Sequence, residues 1–272
     1  MKTIILATDF SSTALNAANY AADMAVAINA DLHLLNIQKV PIYYNDIPPV
    51  TTTEDIIGNA EEILNELKRQ LERKTGNAIK ITTEVEMGTF FTELNAVCDN
   101  LQPFALVMGN QGVTNAERIF FGSHTIIAMK NLRWPILAIP RGVKFANIKK
   151  IGLACDFEKV VDKTPMNEIE ELVKIFNARL FVINTGPKEA HDPEMIFQSG
   201  LLQVMLGDMK PQFHFINNKD IDEGLMDFCE KNNIDLLMVT HKRHSLLDKM
   251  IQRSHTKHLI LHSHIPVMAL HE

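Results

Sequence analysis

Short apolar runs alternate along this chain with longer segments whose apolar residues recur at helical spacing. The first pattern predicts buried strands and the second predicts amphipathic helices. The predicted strands of the first half are Thr3 to Thr8, Leu32 to Ile37, Ile79 to Glu86, a run from Phe104 that ends at Gly109, and Ile136 to Ile139. The predicted helices are Ser12 to Asn29, Glu54 to Lys74, Thr89 to Asn100 and one that begins at Ser123. Regular alternation of strand and helix predicts an α/β fold, with a parallel sheet covered by helices on both faces.

The second half of the chain repeats the first. IGLACDFE at Ile151 to Glu158 aligns with ILATDFS near the start. SHT at Ser254 to Thr256, followed by IPVMAL, aligns with SHT at Ser123 to Thr125, followed by WPILAI, and the separation from serine to proline is the same in both. Internal repetition of this kind predicts two homologous domains, residues 1–143 and 148–272, joined by a short polar linker.

Glycines are concentrated after the fourth strand. The apolar run ends in Gly109, Gly112 follows, and Gly122 and Ser123 stand together before a helical pattern. Glycine allows the backbone to approach phosphate oxygens closely, and a helix N-terminus adds partial positive charge. The pattern is therefore typical of a phosphate-binding loop, although strand-to-helix loops also use glycine for geometry alone.

The spacing G-x2-G-x9-G-S after an apolar strand resembles the nucleotide-binding motif of the universal stress protein family. TIILATDFS at the N-terminus and WPILAIP after the motif extend the resemblance. It implies an adenine-nucleotide α-hydrolase-like fold, in which each domain is an open five-stranded parallel sheet of order 3-2-1-4-5. Ligands bind such sheets where the strand order reverses. That point lies between the strands that end at Asp9 and Gly109.

The resemblance also implies a role for individual residues in binding ATP. Asp9 would contact the adenosine portion, the backbone around Ile37 would pair with adenine, and Met108 would border the ribose. The phosphates, bridged by a divalent metal such as Mg²⁺, would be held by the residues of the motif, which are Gly109, Gly112, Gly122, Ser123 and Thr125. Two of these residues have an alternative interpretation, because Asp9 could cap the following helix and Met108 could be ordinary core.

Three positions depart from the family pattern. Asn110 and Gln111 occupy loop positions where nucleotide-binding relatives often carry His or Arg, which reduces the neutralisation of phosphate charge. Arg118 could compensate. His124 stands where relatives commonly have a small or apolar residue, so that it either crowds the site or donates a hydrogen bond to the ligand.

The second repeat lacks the glycines of the first. Thr240, Arg243 and Arg253 match Gly109, Gly112 and Gly122. Side chains at these positions would block backbone contacts with phosphate, so the second domain is predicted to have lost the nucleotide site. An alternative is that its cationic loop holds an anion through side chains, which are those of Lys242, Arg243, His244 and Arg253.

Histidines follow on the predicted helix that begins at Ser254. His255, His258 and His262 lie at i, i+3 and i+7, on one helix face that could present imidazoles to zinc. No cysteine or acidic ligand joins them, which favours a solvent-exposed polar face. We therefore expect no metal site.

Composition limits the function further. The 272 residues are 46% hydrophobic and carry a formal net charge of -6, which argues against nucleic acid as a partner. The cysteines Cys98, Cys155 and Cys229 show no metal or redox spacing and are expected in the core.

No apolar run reaches the roughly 20 residues that a membrane span needs, and no signal-peptide pattern follows Met1. We expect a cytoplasmic protein that does not contact membranes.

The function expected from the motif and the resemblance is that of an ATP-binding regulatory protein of the stress response. We expect no enzyme, because DFSS at Asp9 to Ser12 replaces the His-rich motif of related nucleotidyl transferases, although slow hydrolysis or self-phosphorylation stays open. The resemblance implies that the last strands of the two domains, Pro135 to Ile139 and Pro266 to Leu270, pair within one chain, and it leaves a homodimer open. The alternatives are a scaffold that binds no nucleotide and an anion or zinc sensor that uses the second domain.

Overall fold

A computed structural model describes residues 1–41, 52–110, 124–129, 131–155, 157, 160–184, 193–216, 218, 220–241 and 263–271. The strands are β1 (Thr3–Ala7), β2 (Asp31–Gln38), β3 (Ile81–Met87), β4 (Ala105–Gly109), β5 (Ile136–Ile139), β6 (Lys150–Cys155), β7 (Arg179–Asn184), β8 (Gln212–Phe215), β9 (Leu236–His241) and β10 (Val267–His271). The helices are α1 (Ser12–Ile28), α2 (Thr53–Thr75), α3 (Phe90–Leu101), α4 (residues 124–129), α5 (Val160–Lys163), α6 (Met166–Phe176), α7 (Pro193–Met205) and α8 (Ile221–Asn232), with a 3₁₀ turn at Gly207–Met209.

The ten strands form one sheet in the order β3-β2-β1-β4-β5-β10-β9-β6-β7-β8. Strands within each half are parallel, and each half has the order 3-2-1-4-5, which confirms the predicted fold class. The two halves are joined by an antiparallel ladder between β5 and β10, in which Leu137 pairs with Met268. This ladder makes the two five-stranded sheets one continuous sheet, and it satisfies the backbone groups that two free edges would expose.

Apolar side chains cover both faces of the sheet, as is usual for parallel strands. On one face a single cluster runs through both halves, with Met24 of α1, Leu64 of α2, Leu172 of α6 and Leu202 of α7 all buried. On the other face one cluster lies beneath α3 and α4, and a separate one lies beneath α8. The helix layer of the first face therefore holds the two halves together in addition to the strand ladder.

The connection between the halves lies against α1. The side-chain amide of Asn16 donates to the carbonyl oxygens of Pro140 and Val143, both at 3.1 Å. Phe145 packs edge-on against Tyr20 with ring centroids 5.2 Å apart. These contacts fix the path of the chain from β5 to β6.

Helix ends follow local capping chemistry. The hydroxyl of Ser11 accepts from the backbone N–H of Ala14 at the start of α1. Asn29 ends this helix in the left-handed conformation, with φ of 51°. Asparagine tolerates that conformation better than most residues, which explains why the helix stops at Ile28, one residue before the predicted end.

Two of the three cysteines are core residues. Cys98 and Cys229 are buried, and burial raises the pKa of each thiol to about 12. Cys155, at the end of β6, is only partly buried. No helix in the described part of the chain is long and apolar enough to cross a bilayer.

Candidate functional site

The predicted site lies at the carboxyl edge of the first-half strands. β1 is flanked by β2 on one side and by β4 on the other, with Leu6 in register with both Leu34 and Val107. Asp9 lies two residues after the end of β1, and Gly109 is the last residue of β4. The strand order reverses between β1 and β4, and the parallel register brings Asp9 and Gly109 to the same edge.

A tight turn after β1 positions Asp9. Phe10 has a positive φ of 66°, and its backbone N–H donates to the hydroxyl oxygen of Thr8 at 3.1 Å. The carboxylate of Asp9 accepts from the N–H of Ser11 at 3.1 Å, which is an Asx turn leading into α1. Asp9 is partly exposed. The N-cap of α1 is Ser11, so Asp9 supports the helix entry without being its cap.

The second half reproduces this turn. Phe157 has φ of 56°, and its N–H donates to the sulfur of Cys155 at 3.4 Å, where Thr8 stands in the first half. A buried asparagine at the end of the second strand is also repeated. The side-chain amide of Asn36 donates to the carbonyl oxygen of Thr8 at 2.8 Å, and that of Asn184 donates to the carbonyl oxygen of Cys155 at 3.5 Å. The geometry of the turn therefore belongs to the fold and does not require a ligand.

Gly109 is required by packing. A Cβ at this position would lie 3.0 Å from both the carbonyl carbon and the carbonyl oxygen of Thr13 in α1, and 3.1 Å from its Cγ2. The hydroxyl of Thr125 donates to the carbonyl oxygen of Gly109 at 3.0 Å, and Thr125 is fully buried. Met108 is 1% exposed and packs in the cluster beneath α3 and α4. These three residues are buried at the carboxyl end of β4, and direct contacts of Met108 and Thr125 with a ligand stay predictions.

His124 belongs to an aromatic group at the start of α3. Its ring stacks on Phe90, with centroids 4.6 Å apart and planes at 9°, and meets Phe91 edge-on at 5.6 Å. Burial lowers the pKa of His124, the charge of Lys39 lowers it further, and the charge of Asp9 opposes both effects. His124 is therefore packed against α3 within the electrostatic range of both charged residues.

Lys39 is a residue of this edge that the sequence analysis missed. It follows β2 directly and is exposed. The available indication was its position, because the carboxyl ends of parallel strands share one edge of a sheet and a cation there faces any bound anion. Ile37, two residues earlier, pairs with Glu86 of β3 and packs against the cluster beneath α3 and α4, so the end of β2 offers an apolar surface beside the cation.

Asn110 leaves a buried amide at the end of β4. Its backbone N–H donates to the carbonyl oxygen of Ile139 at 3.0 Å, and its side chain is fully buried. Neither atom of the amide has a hydrogen-bond partner in the part of the chain that the structure describes. Buried polar groups are nearly always satisfied, so this amide marks a place where a polar group is expected to contact it.

Several residues named in the sequence analysis lie outside the described residues. In the first half these are Gln111, Gly112, Arg118, Gly122 and Ser123. In the second half they are Lys242, Arg243, His244, Arg253, Ser254, His255, His258 and His262. Thr240 is described, and it lies in β9 paired with Leu270. Among the described residues, no group of three or more His, Cys, Asp or Glu side chains could hold a metal ion.

Comparison with known proteins identifies the family. A sequence model of the universal stress protein family matches residues 1–140 and 212–271, which is more than half of the chain. A universal stress protein of Methanocaldococcus jannaschii is 26% identical over 148 residues, which are 53% of this chain and 84% of that protein.

Two solved structures share the fold over nearly the full length. The crystal structure of a universal stress protein from Archaeoglobus fulgidus has a TM-score of 0.72 at 17% identity, covering 99% of this chain and 96% of the other. A functionally unknown protein from Pseudomonas aeruginosa has a TM-score of 0.62 at 13% identity, covering 100% of this chain and 92% of the other. With the family model matching both halves, the chain belongs to the universal stress protein family.

Proposed function

We propose that this stress protein is a regulatory protein that binds one ATP, with Mg²⁺, at the carboxyl edge of the first-half strands. The observation that carries the proposal is the arrangement of Asp9, Lys39 and Ile37 around the strand-order reversal. An apolar strand end suits adenine, a carboxylate suits ribose hydroxyls, and a cation favours phosphate.

The predicted glycine motif supplies the remaining contacts. Backbone N–H groups around Gly112, Gly122 and Ser123 would hold the phosphates, and Mg²⁺ would neutralise part of their charge. The amide of Asn110, which has no hydrogen-bond partner among the described residues, lies inside this motif directly after Gly109, and it fits a site that a polar ligand completes. The work of these residues is to bind and orient the nucleotide, and we propose no catalytic residue.

We further propose two domains, residues 1–143 and 148–272, of which only the first binds nucleotide. Thr240 replaces Gly109, and the sequence places arginines where Gly112 and Gly122 stand in the first repeat. A side chain at such positions keeps the backbone from phosphate, and each charge-assisted hydrogen bond lost costs about 1.5 to 3 kcal/mol. One nucleotide per chain is therefore expected.

A scaffold without nucleotide is the second candidate, and one observation favours it. Both Asp9 and Gly109 have structural reasons to be present, since Asp9 receives the N–H of Ser11 and Gly109 makes room for Thr13. These two residues would therefore persist in a relative that had lost the ligand.

Calorimetric titration with Mg·ATP separates the two candidates. We expect one site per chain, no heat of binding for Gly122→Val with an unchanged circular dichroism spectrum, and about tenfold or more weaker binding for Asp9→Asn. Asp9→Asn is informative because the amide oxygen can still accept from Ser11, so the turn is kept while the charge is lost. Glu61→Gln, on the outer face of α2, is the matched control for loss of one negative charge. No heat from the wild-type chain at about 1 mM ATP, where even a weak site is occupied, would favour the scaffold.

A further inference from the structure

The outward side of α7 exposes three large apolar side chains, with one exposed polar side chain, that of Gln203, at its border. Ile196 is 62% exposed, Phe197 60% and Val204 81%. Gly200 lies between them, and a Cβ built on it meets nothing within 4 Å. Because helix positions advance by about 100° per residue, these four residues occupy one face of α7, here called the α7 face.

The inner side of α7 already meets the needs of the fold. Leu202 and Leu206, the residue that follows the helix, are fully buried beneath it. The side-chain oxygen of Gln198 accepts from the N–H of Val160 at 3.0 Å, which ties α7 to α5. The α7 face takes no part in these contacts, so core packing does not explain its composition.

The equivalent helix of the first half shows that this position does not demand an apolar surface. α2 connects β2 to β3 as α7 connects β7 to β8, and its outer side carries ion pairs between Glu66 and Arg69 and between Lys68 and Glu72. The only ionisable residue of α7 is Glu194, which accepts from Gln198 instead of lying on the α7 face. Contiguous exposed apolar surface of this kind is typical of interaction sites.

We propose that the α7 face is the interface through which two copies of this chain form a two-fold symmetric dimer. A face without charge offers nothing to a charged partner surface, whereas it is complementary to itself in an isologous contact. Ile196 and Val204 lie four residues to either side of Gly200. Two antiparallel helices that cross at Gly200 therefore bring Ile196 of one copy to Val204 of the partner subunit, and the missing side chain allows the backbones to approach.

The apolar area of the α7 face indicates the affinity expected for this dimer. Its three large side chains and Val161 of the adjacent α5, which is 57% exposed, together present apolar area on the order of 400 Å² per copy. This is below the roughly 800 Å² per partner of stable complexes. The dimer is thus weak and concentration-dependent.

Sedimentation equilibrium tests the proposal on the full chain up to about 0.1 mM, where a weak dimer is populated. We expect the wild-type chain to dimerise and Phe197→Glu to raise the dissociation constant at least about tenfold, because a carboxylate would be buried without a partner. Val26→Glu is the matched control, since Val26 is 42% exposed on α1, outside the α7 face, and should leave the constant unchanged. Both side chains are exposed, so unchanged circular dichroism is expected for both variants.

Oxidative cross-linking tests the crossing point. A disulfide needs Cα atoms within about 7 Å, so Gly200→Cys should form a covalent dimer in high yield. Gly58→Cys is the matched control, because Gly58 is likewise a helical glycine with open space around it, but on α2. A wild-type chain that stays monomeric, a dimer that Phe197→Glu leaves intact, or equal cross-linking of the two cysteine variants would each overturn the proposal. Binding of another protein or of lipid vesicles by a monomeric chain, abolished by Phe197→Glu, would assign the α7 face to that occupant and also overturn it.

Discussion

Replacing Gly109 by alanine tests whether packing alone requires this glycine. The added Cβ would lie 3.0 Å from the carbonyl carbon and oxygen of Thr13, closer than real Cβ atoms normally come to other atoms. Both are backbone atoms of α1, so a change of side-chain rotamer cannot relieve the contact. To relieve the contact, α1 would have to move away from β4. The carbonyl oxygen of Gly109 also accepts the hydrogen bond from the Thr125 hydroxyl, so a shift of β4 would disturb that bond.

The cost follows from two opposing effects. Overpacking a well-packed core typically costs about 1 to 3 kcal/mol. Alanine also restricts the unfolded chain, which returns about 0.4 to 1 kcal/mol. We therefore expect Gly109→Ala to lower the free energy of unfolding by about 1 to 2 kcal/mol in the absence of any nucleotide.

Urea unfolding followed by circular dichroism, without nucleotide, measures this change. Gly58→Ala is the matched control, because Gly58 lies in α2 with nothing within 4 Å of an added Cβ, and it should raise the free energy of unfolding by up to about 1 kcal/mol. If Gly109→Ala is as stable as the wild-type chain or more so, the packing argument is refuted and only ligand binding would account for the glycine.

Three further predictions concern single side chains. Folding lowers the pKa of His124, so as the pH falls the unfolded chain takes up the proton before the folded chain does. The stability that neutral His124 contributes is therefore complete above the ordinary histidine pKa of 6.5 and is lost as the pH falls below that value. His124→Phe should therefore lose less unfolding free energy than the wild-type chain between about pH 7.5 and 5.5 in urea titrations, and equal losses would contradict the assignment. Iodoacetamide at about pH 8 should modify Cys155 well before the two buried thiols, which mass spectrometry would show as a singly labelled native chain and a triply labelled one in urea. Asn16→Ala removes both hydrogen bonds to the connection between the halves and should cost about 1 to 3 kcal/mol in thermal unfolding, whereas Asn19→Ala on the exposed side of α1 should cost less than about 1 kcal/mol.

Local patterns were sufficient to predict most of the fold. Ile136 to Ile139 is both the predicted and the observed strand, and the helix predicted from Ser12 ends one residue early because Asn29 turns left-handed. The parallel order of each half and the family are confirmed. These features depend on apolar periodicity and on turn residues, which act over short stretches of sequence.

The details of the site depend on contacts between distant residues, which periodicity does not encode. The approach of Thr13 to Gly109 joins two elements that are far apart in the chain, and so does the stacking of His124 on Phe90. Lys39 was missed although the predicted strand order already placed the end of β2 at this edge, because its electrostatic effect on His124 joins residues that are far apart in the sequence. The motif residues were found because they are close together in the sequence.

The antiparallel ladder between β5 and β10 has a consequence for signalling within the chain. It directs the strands of the two halves in opposite directions, so the carboxyl ends of β1 and β4 and those of β6 and β9 lie on opposite rims of the sheet. A small molecule bound at one rim therefore cannot contact a molecule bound at the other rim. Communication between the rims would have to pass through the central strands or through the shared helix layer.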